Sequence, residues 1–462
     1  MSWLTFLIAL TPENLLLAGI IVLIGVEVFA RRAQGALAIS LCAVAAAAAA
    51  AALLGSGGLT ATPFPGHFSV DPSWSLAKAL VLALALPVLL LSHDDFAEDG
   101  QFHILLLSSL YGFCLQRSAD SFLTLFLGLE IMALPVYVLV LLAFKRPESP
   151  EAALKYLVLG GTATAMFLMG VSLLYGGSGT LAISVFAAGL RSADTMAVAG
   201  VTLILLAFFL KAAIVPFHAW APDAYEGASI PVTAYMATII KAGVLLAALR
   251  LFGTEVVSRP TDDLLAFLPL VSIVWGNLAA MRQKSFRRMI AYSSIAHAGY
   301  LFYAFLGDGP GRFQAVLFYL LAYGLMNLLA FASLPRGDDD ATRDRLENMK
   351  GMFQRNPYGA LMIGMAMLSL AGIPPFPGFV AKFLIFRNVM TAGYTAYAVL
   401  GLVGSYLGIY FYLRVIQFMF MTAPTPATSP QASRGLALGA SLICLVTALL
   451  VAIFPGWVIG LF

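Results

Sequence analysis

The sequence has too few charged residues to cover a soluble protein with a polar surface. Only 11% of its 462 residues are charged and 61% are hydrophobic, whereas a soluble domain carries about 25% charged residues. Basic and acidic residues nearly balance, at 26 against 23, and no basic run resembles a nucleic-acid surface. We therefore expect an all-α integral membrane protein, in which helices satisfy their own backbone polar groups.

Motifs for cofactors are also missing. The three cysteines, Cys42, Cys114 and Cys444, are far apart in apolar segments, and they fit neither an iron–sulfur spacing nor a disulfide framework. No GxxxxGK[ST] loop, GxGxxG turn, haem ligand pair or nucleophile elbow stands in a convincing position. We expect no nucleotide, flavin, iron–sulfur cluster or metal ion on this chain.

Long apolar runs fill most of the chain instead. Because a helix needs about 20 apolar residues to cross a ~30 Å hydrocarbon layer, the pattern predicts about 14 transmembrane helices. They lie near residues 14–31, 35–54, 77–93, 102–117, 120–144, 154–175, 198–217, 231–251, 264–281, 287–307, 313–334, 358–388, 394–420 and 434–461.

The distribution of Lys and Arg predicts the orientation. With the N-terminus outside, six of the 26 basic residues fall in outer connections and five, all lysines, lie within or at the edge of spans, which leaves 15 for the cytoplasmic side. This excess predicts that both termini lie outside. Lys78, near an outer helix start, is expected to extend to the surface. The outer six are Arg117, Arg191, Arg250, Arg259, Arg312 and Arg387.

Prolines interrupt two of the predicted helices. Pro216 follows Lys211 by five residues, and three prolines at 374, 375 and 377 precede Lys382. Proline removes a helical hydrogen bond, and the freed carbonyls in a membrane must face protein or a wet cavity. Two such spans in corresponding halves of a chain indicate an inverted-repeat transport site.

The spacing of the two interruptions predicts the domain organisation. They fall in the seventh and twelfth spans, which indicates two five-helix repeats at residues 101–260 and 261–422. An odd number of helices gives the repeats opposite orientations. Residues 1–100 would supply the first three helices and residues 423–462 the fourteenth.

Four ionisable residues lie deep within spans. Glu130 and Lys241 are each ten residues into their helices, or about 15 Å at 1.5 Å per residue. Lys211 and Lys382 lie at the two proline interruptions. A charge at this depth costs about 2.5–3.5 kcal/mol even on the lower scales and usually marks function. We expect these four to carry protons, although a static Glu130–Lys211 pair that only holds two helices together is the alternative.

Carboxylates are too few to neutralise these lysines. Of the 23 acidic residues, only Glu27 and Glu130 are assigned to the interior of spans, and Glu27 lies near the cytoplasmic end of its helix. One deep carboxylate cannot balance three deep lysines, so some lysines are expected to lose their protons for part of the time. A line of such groups predicts proton transfer through the bundle.

Other residues are candidates for an auxiliary path. Lys155, four residues after Glu151, either forms a capping ion pair or admits protons. His218 and His297 either relay protons or pack with a hydrogen bond. Polar residues of the second repeat either hold water or pack helices; these are Tyr292, Ser293, Ser294, Tyr300 and Asn327.

Three segments carry a family resemblance. LKAAIVPFHAWAPDAYEGASIPVTAYM (210–236), MRQKSFRRMIAYSSIAHAGY (281–300) and LAGIPPFPGFVAKF (370–383) resemble the antiporter-like membrane subunits of respiratory NADH:quinone oxidoreductase, or complex I. These are related to the large subunits of multisubunit sodium/proton antiporters. Within the family the chain is most similar to subunit N, since Lys382 stands where one sister subunit has glutamate.

The resemblance implies a proton-translocating subunit that couples quinone reduction elsewhere in the complex to proton transfer. Glu130, Lys211, Lys241 and Lys382 would form the path, with Lys155 and His218 auxiliary. NADH, FMN, iron–sulfur clusters and quinone would lie on partner subunits, and sister antiporter-like subunits would be neighbours in the bacterial inner membrane, with both termini periplasmic. A subunit of a multisubunit cation/proton antiporter and a non-transporting scaffold are the alternatives.

Overall fold

Almost all of the described chain is helical. The computed structural model describes residues 3–29, 35–143, 146–253, 261–306, 309–335, 344–423 and 435–461. The helices are α1 Trp3–Ala9, α2 Thr11–Phe29, α3 Ala36–Ser56, α4 Pro72–Phe96, α5 Gly100–Ser118, α6 Phe122–Leu141, α7 Ser149–Ser178, α8 Ser184–Gly189, α9 Thr195–Ala212, α10 Trp220–Gly227, α11 Ile230–Tyr235, α12 Lys241–Phe252, α13 Thr261–Ala280, α14 Phe286–Tyr303, α15 Gly309–Ala332, α16 Met352–Arg355, α17 Pro357–Ala371, α18 Pro377–Thr391, α19 Thr395–Met421, α20 Gly435–Ile453 and α21 Pro455–Gly460.

Twelve helices in these ranges are long and apolar enough to cross a membrane, judged by length and composition. They match twelve of the predicted spans and confirm the all-α membrane fold. The two other predicted spans correspond to α5 and to the pair α17 and α18. The count of fourteen and the inverted repeats stay predictions.

Short side chains fix where several helices begin. Asp71, Asp99, Ser121, Asp194 and Ser285 each precede a helix and accept a hydrogen bond from the backbone N–H three residues later. Such caps satisfy N–H groups that have no partner within the helix. The sequence thus marks the starts of α4, α5, α6, α9 and α14.

A small hairpin between α3 and α4 was not predicted. Strand β1 (Ala61–Phe64) pairs antiparallel with β2 (Phe68–Val70), and Gly66 turns between them at φ 77°. The backbone N–H of Asp120 donates to the His67 carbonyl at 2.8 Å. The hairpin therefore packs on the turn between α5 and α6.

Both predicted interruptions are present. Helix α9 ends at Ala212 and α10 begins at Trp220, whereas α17 ends at Ala371 and α18 begins at Pro377. The most buried spans are Ile230–Phe252, Phe286–Leu306 and Gly311–Ala332. These spans form the centre of the bundle, between the two interrupted helices.

Lys78 does not reach the surface, and that prediction was wrong. It is 2% exposed, and its Nζ donates to Glu13 Oε1 at 2.5 Å and to Ser118 Oγ at 2.7 Å. The count of carboxylates within spans missed Glu13, because it stands in the first turn of α2. Since Glu13 pairs with Lys78, it leaves the imbalance at the three deep lysines unchanged.

Candidate functional site

Glu130 and Lys211 form an ion pair inside the bundle. Lys211 Nζ lies 3.0 Å from Glu130 Oε1, and the two side chains are 9% and 17% exposed. Thr164 Oγ1 donates to the same carboxylate oxygen at 2.6 Å. Glu130, Thr164 and Lys211 therefore connect α6, α7 and the last turn of α9. A pair between Glu130 and Lys211 is also one of the interpretations that the sequence left open.

The interruption after Lys211 is held by side chains. Ala213 takes the left-handed conformation at φ 62° and ends α9. The Trp220 indole N–H donates to the Leu210 carbonyl at 2.9 Å, and the Val215 N–H donates to Ser272 Oγ at 2.8 Å. These bonds satisfy groups that the break leaves without helical partners, and they fix the backbone next to Lys211.

A small cavity lies beside this ion pair. It has a volume of about 20 Å³ and is lined by Lys211, Tyr137, Tyr156, Trp220 and Ile240, among other residues. A water molecule needs about 10–15 Å³ of such volume. The cavity therefore has room for a water between Lys211 and the residue that precedes Lys241.

Lys241 has no carboxylate within salt-bridge distance among the described residues. It stands where a π-helical turn (Met236–Ile240) meets α12 and is 6% exposed. Its Nζ donates to the Ser294 carbonyl and lies 5.6 Å from the centre of the Tyr323 ring. Neutral oxygen and an aromatic face thus take the place of a counter-ion.

His297 lies at the centre of a hydroxyl cluster. Its Nδ1 is 2.7 Å from the Tyr319 hydroxyl, and its Nε2 is 3.1 Å from the Tyr412 hydroxyl. The Tyr412 hydroxyl is 2.5 Å from Ser293 Oγ. Each ring nitrogen therefore has a partner that can either donate or accept a proton.

Within the described part of the chain, Lys382 also has only neutral partners. Its Nζ donates to the Ala371 carbonyl and to Ser405 Oγ, both at 3.0 Å, and lies 5.1 Å from the centre of the Tyr300 ring. The Lys382 side chain passes so close to Gly372, which has φ 84°, that an added Cβ would lie 3.0 Å from it. The left-handed glycine thus ends α17 and makes room for the lysine.

A large cavity opens beside Lys382. Its volume is about 530 Å³, and it is lined by residues of α18 and α19, including Ser405 and Arg387. Phe383 and Tyr406 on its rim are 53% and 70% exposed. This cavity therefore opens to the side of the bundle, unlike the one beside Lys211.

Helix α14 connects Lys241 and Lys382, the two lysines for which the described residues supply no carboxylate. Ser294 accepts from Lys241, His297 lies one turn later, and the Tyr300 ring faces Lys382. Ser294 and Tyr300 are six residues apart, or about 9 Å along a helix axis. One face of α14 thus carries polar groups from one lysine to the other.

Lys155 belongs to an ion network at the opposite end of α7 from the hairpin. Its Nζ lies 2.7 Å from Glu151, as the capping alternative predicts, and 2.7 Å from Asp223. Asp223 also pairs with Arg288 at 2.8 Å. Burial raises the pKa of Asp223, but the hydrogen bonds from Lys155 and Arg288 outweigh it and hold that pKa below its ordinary value.

Two residues that the sequence suggested as candidates, His218 and Tyr292, lie outside the series of polar groups between Lys211 and Lys382. His218 Nε2 accepts from the Trp275 indole N–H at 3.0 Å, on the half-exposed face of α13. Tyr292 is half-buried on α14 and is not part of the His297 cluster. Among the residues that the structure describes, no group of three His, Cys, Asp or Glu residues suits a metal ion.

Some functional candidates carried no signal in the sequence. Thr164 and Ser405 are single hydroxyls in apolar runs, and such residues usually bond to their own helix. Tyr319 and Tyr412 are far from His297 in the chain. Asp223 is the exception, because it belongs to the PDAYEG sequence within the segment that carries the family resemblance.

Comparison with known proteins gives a consistent result. A family model described as NADH:quinone oxidoreductase/Mrp antiporter, transmembrane, matches residues 119–408. The chain is 36% identical over 427 residues to NADH-quinone oxidoreductase subunit N of Pelobacter propionicus, covering 92% of this chain and 91% of that one. Subunit N of Deinococcus radiodurans is 36% identical, covering 86% of this chain and 83% of its own length.

Solved structures of related complexes contain chains with the same fold. A chain of respiratory complex I from Thermus thermophilus matches with a TM-score of 0.84 and 33% identity, covering 97% of this chain and 98% of that one. A chain of the Mrp complex from Dietzia has a TM-score of 0.85 at 22% identity, covering 100% and 96%. At that identity the second match concerns the fold alone.

Proposed function

Since the chain belongs to the NADH:quinone oxidoreductase/Mrp antiporter family and, within it, to the subunit N group that its sequence resembles, we propose that it translocates protons as a membrane subunit of respiratory complex I. It is a multi-pass membrane protein and part of an oxidoreductase complex. Its neighbours are other membrane subunits, including sister antiporter-like subunits. It resides in the bacterial inner membrane with both termini periplasmic.

The imbalance of deep charges supports this proposal most strongly. Lys241 and Lys382 are buried and Lys211 is largely buried, yet only Lys211 has a carboxylate partner among the described residues. A permanently charged ammonium group without a counter-ion in a membrane is costly. A group that takes up and releases a proton carries that charge only for part of the time.

The Glu130–Lys211 pair acts as the controlling element. At ~4 Å between charges and an effective dielectric of 20, their attraction is about 4 kcal/mol. This attraction keeps the proton on Lys211 while the pair is closed. When the pair opens, Lys211 releases its proton toward the small cavity and Lys241.

The remaining steps follow α14. Lys241 passes the proton along Ser294, His297 and the adjacent tyrosine hydroxyls to Lys382, from which it leaves to the outer side. Lys155, His218 and Tyr292 are auxiliary: Lys155 lies at the cytoplasmic ion network, and the other two flank the path.

The driving reaction takes place on other subunits. NADH, FMN, iron–sulfur clusters and quinone bind there, and this chain contributes no redox centre. The relatives that share 36% of its residues are subunit N proteins, which favours complex I over a multisubunit cation/proton antiporter. The surplus of deep lysines argues against a non-transporting scaffold, since a scaffold gains little from them.

Reconstitution of the intact complex into liposomes tests the proposal. NADH-driven acidification is measured with a pH-sensitive dye and divided by the rate of NADH oxidation. Glu130→Gln and Lys211→Ala complexes should assemble but acidify poorly. Normal acidification by a fully assembled double variant would refute the scheme.

A further inference from the structure

Arg117 is a fully buried cation outside the proposed path. It is 0% exposed, and its Nε and Nη1 have no hydrogen-bond partner among the described residues. Its Nη2 reaches the Gly243 carbonyl at 3.4 Å, which is long for a hydrogen bond. A guanidinium that served only to tie helices together would be expected to have its donors satisfied.

A second arginine, Arg250, lies on α12, seven residues after Gly243. Arg250 is nine-tenths buried, and it donates to the Ala119 carbonyl and to Ser69 Oγ. The Cζ atoms of Arg117 and Arg250 lie 5.4 and 5.3 Å from the centre of the Trp74 ring. The two guanidinium groups and the indole therefore form one cluster, which we call the Arg117–Trp74–Arg250 cluster.

This cluster lies between Lys241 and one end of the bundle. Gly243 and Arg250 follow Lys241 on α12 by two and nine residues, or about 3 and 13 Å. Ala119 and Ser69, which Arg250 contacts, belong to the turn and the hairpin at that end. In the proposed orientation this is the outer end.

Two carboxylates at this end, Asp71 and Asp120, act on Arg250. Asp71 lies 3.8 Å from Arg250, and its side chain is 38% exposed. Glu13 is paired with Lys78. Among the described residues no carboxylate lies within salt-bridge distance of Arg117, so its field acts on any cation that approaches from Lys241.

We propose that the Arg117–Trp74–Arg250 cluster is a fixed cationic barrier that closes the outer half of the first predicted repeat, so that a proton on Lys241 moves sideways toward Lys382. The inference rests on the proposed function. Arginine suits a barrier and not a relay, because its guanidinium keeps its proton at any physiological pH.

The barrier predicts a proton leak when Arg117 loses its charge. In complexes reconstituted into liposomes, Arg117→Met should raise the passive decay rate of an imposed pH gradient by about tenfold, as expected for removal of a unit charge close to the path. Acidification per NADH should fall, and quinone reduction should continue. Arg191→Met, which removes a charge from an exposed position, is the matched control and should remain tight.

A trapped fluorescent dye separates the barrier from a packing defect. A proton leak without dye release supports the barrier, whereas release of the dye together with protons overturns it. If the Arg117→Met complex does not assemble, Arg250→Met takes its place under the same criteria. A tight Arg117→Met complex refutes the barrier alone, whereas normal acidification by the assembled Glu130→Gln/Lys211→Ala double variant refutes the proposed function.

Discussion

The two interrupted helices hold their lysines in opposite ways. Lys211, in the last turn of α9, has a carboxylate 3.0 Å away. Lys382, in α18, donates to the Ala371 carbonyl and to Ser405 Oγ, both at 3.0 Å, and has no carboxylate partner among the residues that the structure describes. Both lysines thus lie at an interrupted helix, but only Lys211 has a counter-ion among the described residues.

The cavities beside Lys211 and Lys382 also differ, in size and in exposure. The cavity at Lys211 has a volume of about 20 Å³ and is largely enclosed by aromatic and aliphatic side chains, whereas that at Lys382 has about 530 Å³ and an exposed rim. A counter-ion in a tight site favours retention of a proton. Partners that carry no charge favour its release, which gives the proposed path a direction.

A carboxylate placed next to Lys382 should make its surroundings resemble those of Lys211. Of the changes considered, we expect this one to have the largest effect on proton translocation. Ser405→Asp places an anion about 4 Å from the ammonium, worth about 4 kcal/mol at an effective dielectric of 20. Acidification per NADH should fall at least about tenfold, since each 1.4 kcal/mol is a factor of ten. Ser405→Asn, similar in shape but uncharged, should pump nearly normally. Equal pumping by the two variants would contradict the assigned role of the missing counter-ion.

Loosening the Lys211 pair should have a smaller effect. Thr164→Val removes the hydroxyl that donates to Glu130 at 2.6 Å, and a hydrogen bond to a charged group contributes about 1.5–3 kcal/mol. The closed pair should become less stable, and acidification should fall about threefold in dye assays, since only part of that energy bears on the closed state. Thr164→Ser keeps the hydroxyl and should restore the rate. A rate unaffected by Thr164→Val would show that Thr164 does not control the pair.

The smallest expected effect concerns a buried pair that is not hydrogen-bonded to Lys211 or Lys382. Arg287 and Asp344 lie 2.8 Å apart and join α14 to the connection before α16. Burial raises the pKa of Asp344, but Arg287 outweighs it and holds that pKa below its ordinary value of 3.8. The pair therefore contributes stability above that value and loses it only as the pH falls through the lowered pKa.

Asp344→Asn should accelerate hydrogen–deuterium exchange at residues 344–350, with pumping nearly unchanged. The difference from the wild type should be the same at pH 6 and pH 8, once intrinsic exchange rates are corrected, because the carboxylate is ionised at both. A difference that grows between these two pH values would contradict the lowered pKa.

Much of this architecture could be predicted from the sequence, because a membrane restricts the chain to apolar helices. Run lengths located the spans, prolines located both interruptions, and depth selected Glu130, Lys211, Lys241 and Lys382. The ion pair between Lys155 and Glu151 also follows from spacing, since residues four apart in a helix are neighbours.

Long-range partners could not be predicted. Thr164 and Lys211 are 47 residues apart, and His297 and Tyr412 are 115 apart. No periodicity encodes such contacts, because helix packing decides them. Lys78 shows the same limit: an outer helix start suggests exposure, but α2 and α5 cover it with Glu13 and Ser118.

The most direct test of the account replaces Lys382 with arginine and counts protons per NADH in reconstituted complexes. Arginine keeps the positive charge and the capacity to donate to Ser405, but it does not release a proton at physiological pH. If Lys382 must take up and give up protons, the Lys382→Arg complex should assemble, oxidise NADH and translocate fewer protons per NADH than the wild type. A wild-type ratio in that complex would contradict the central claim.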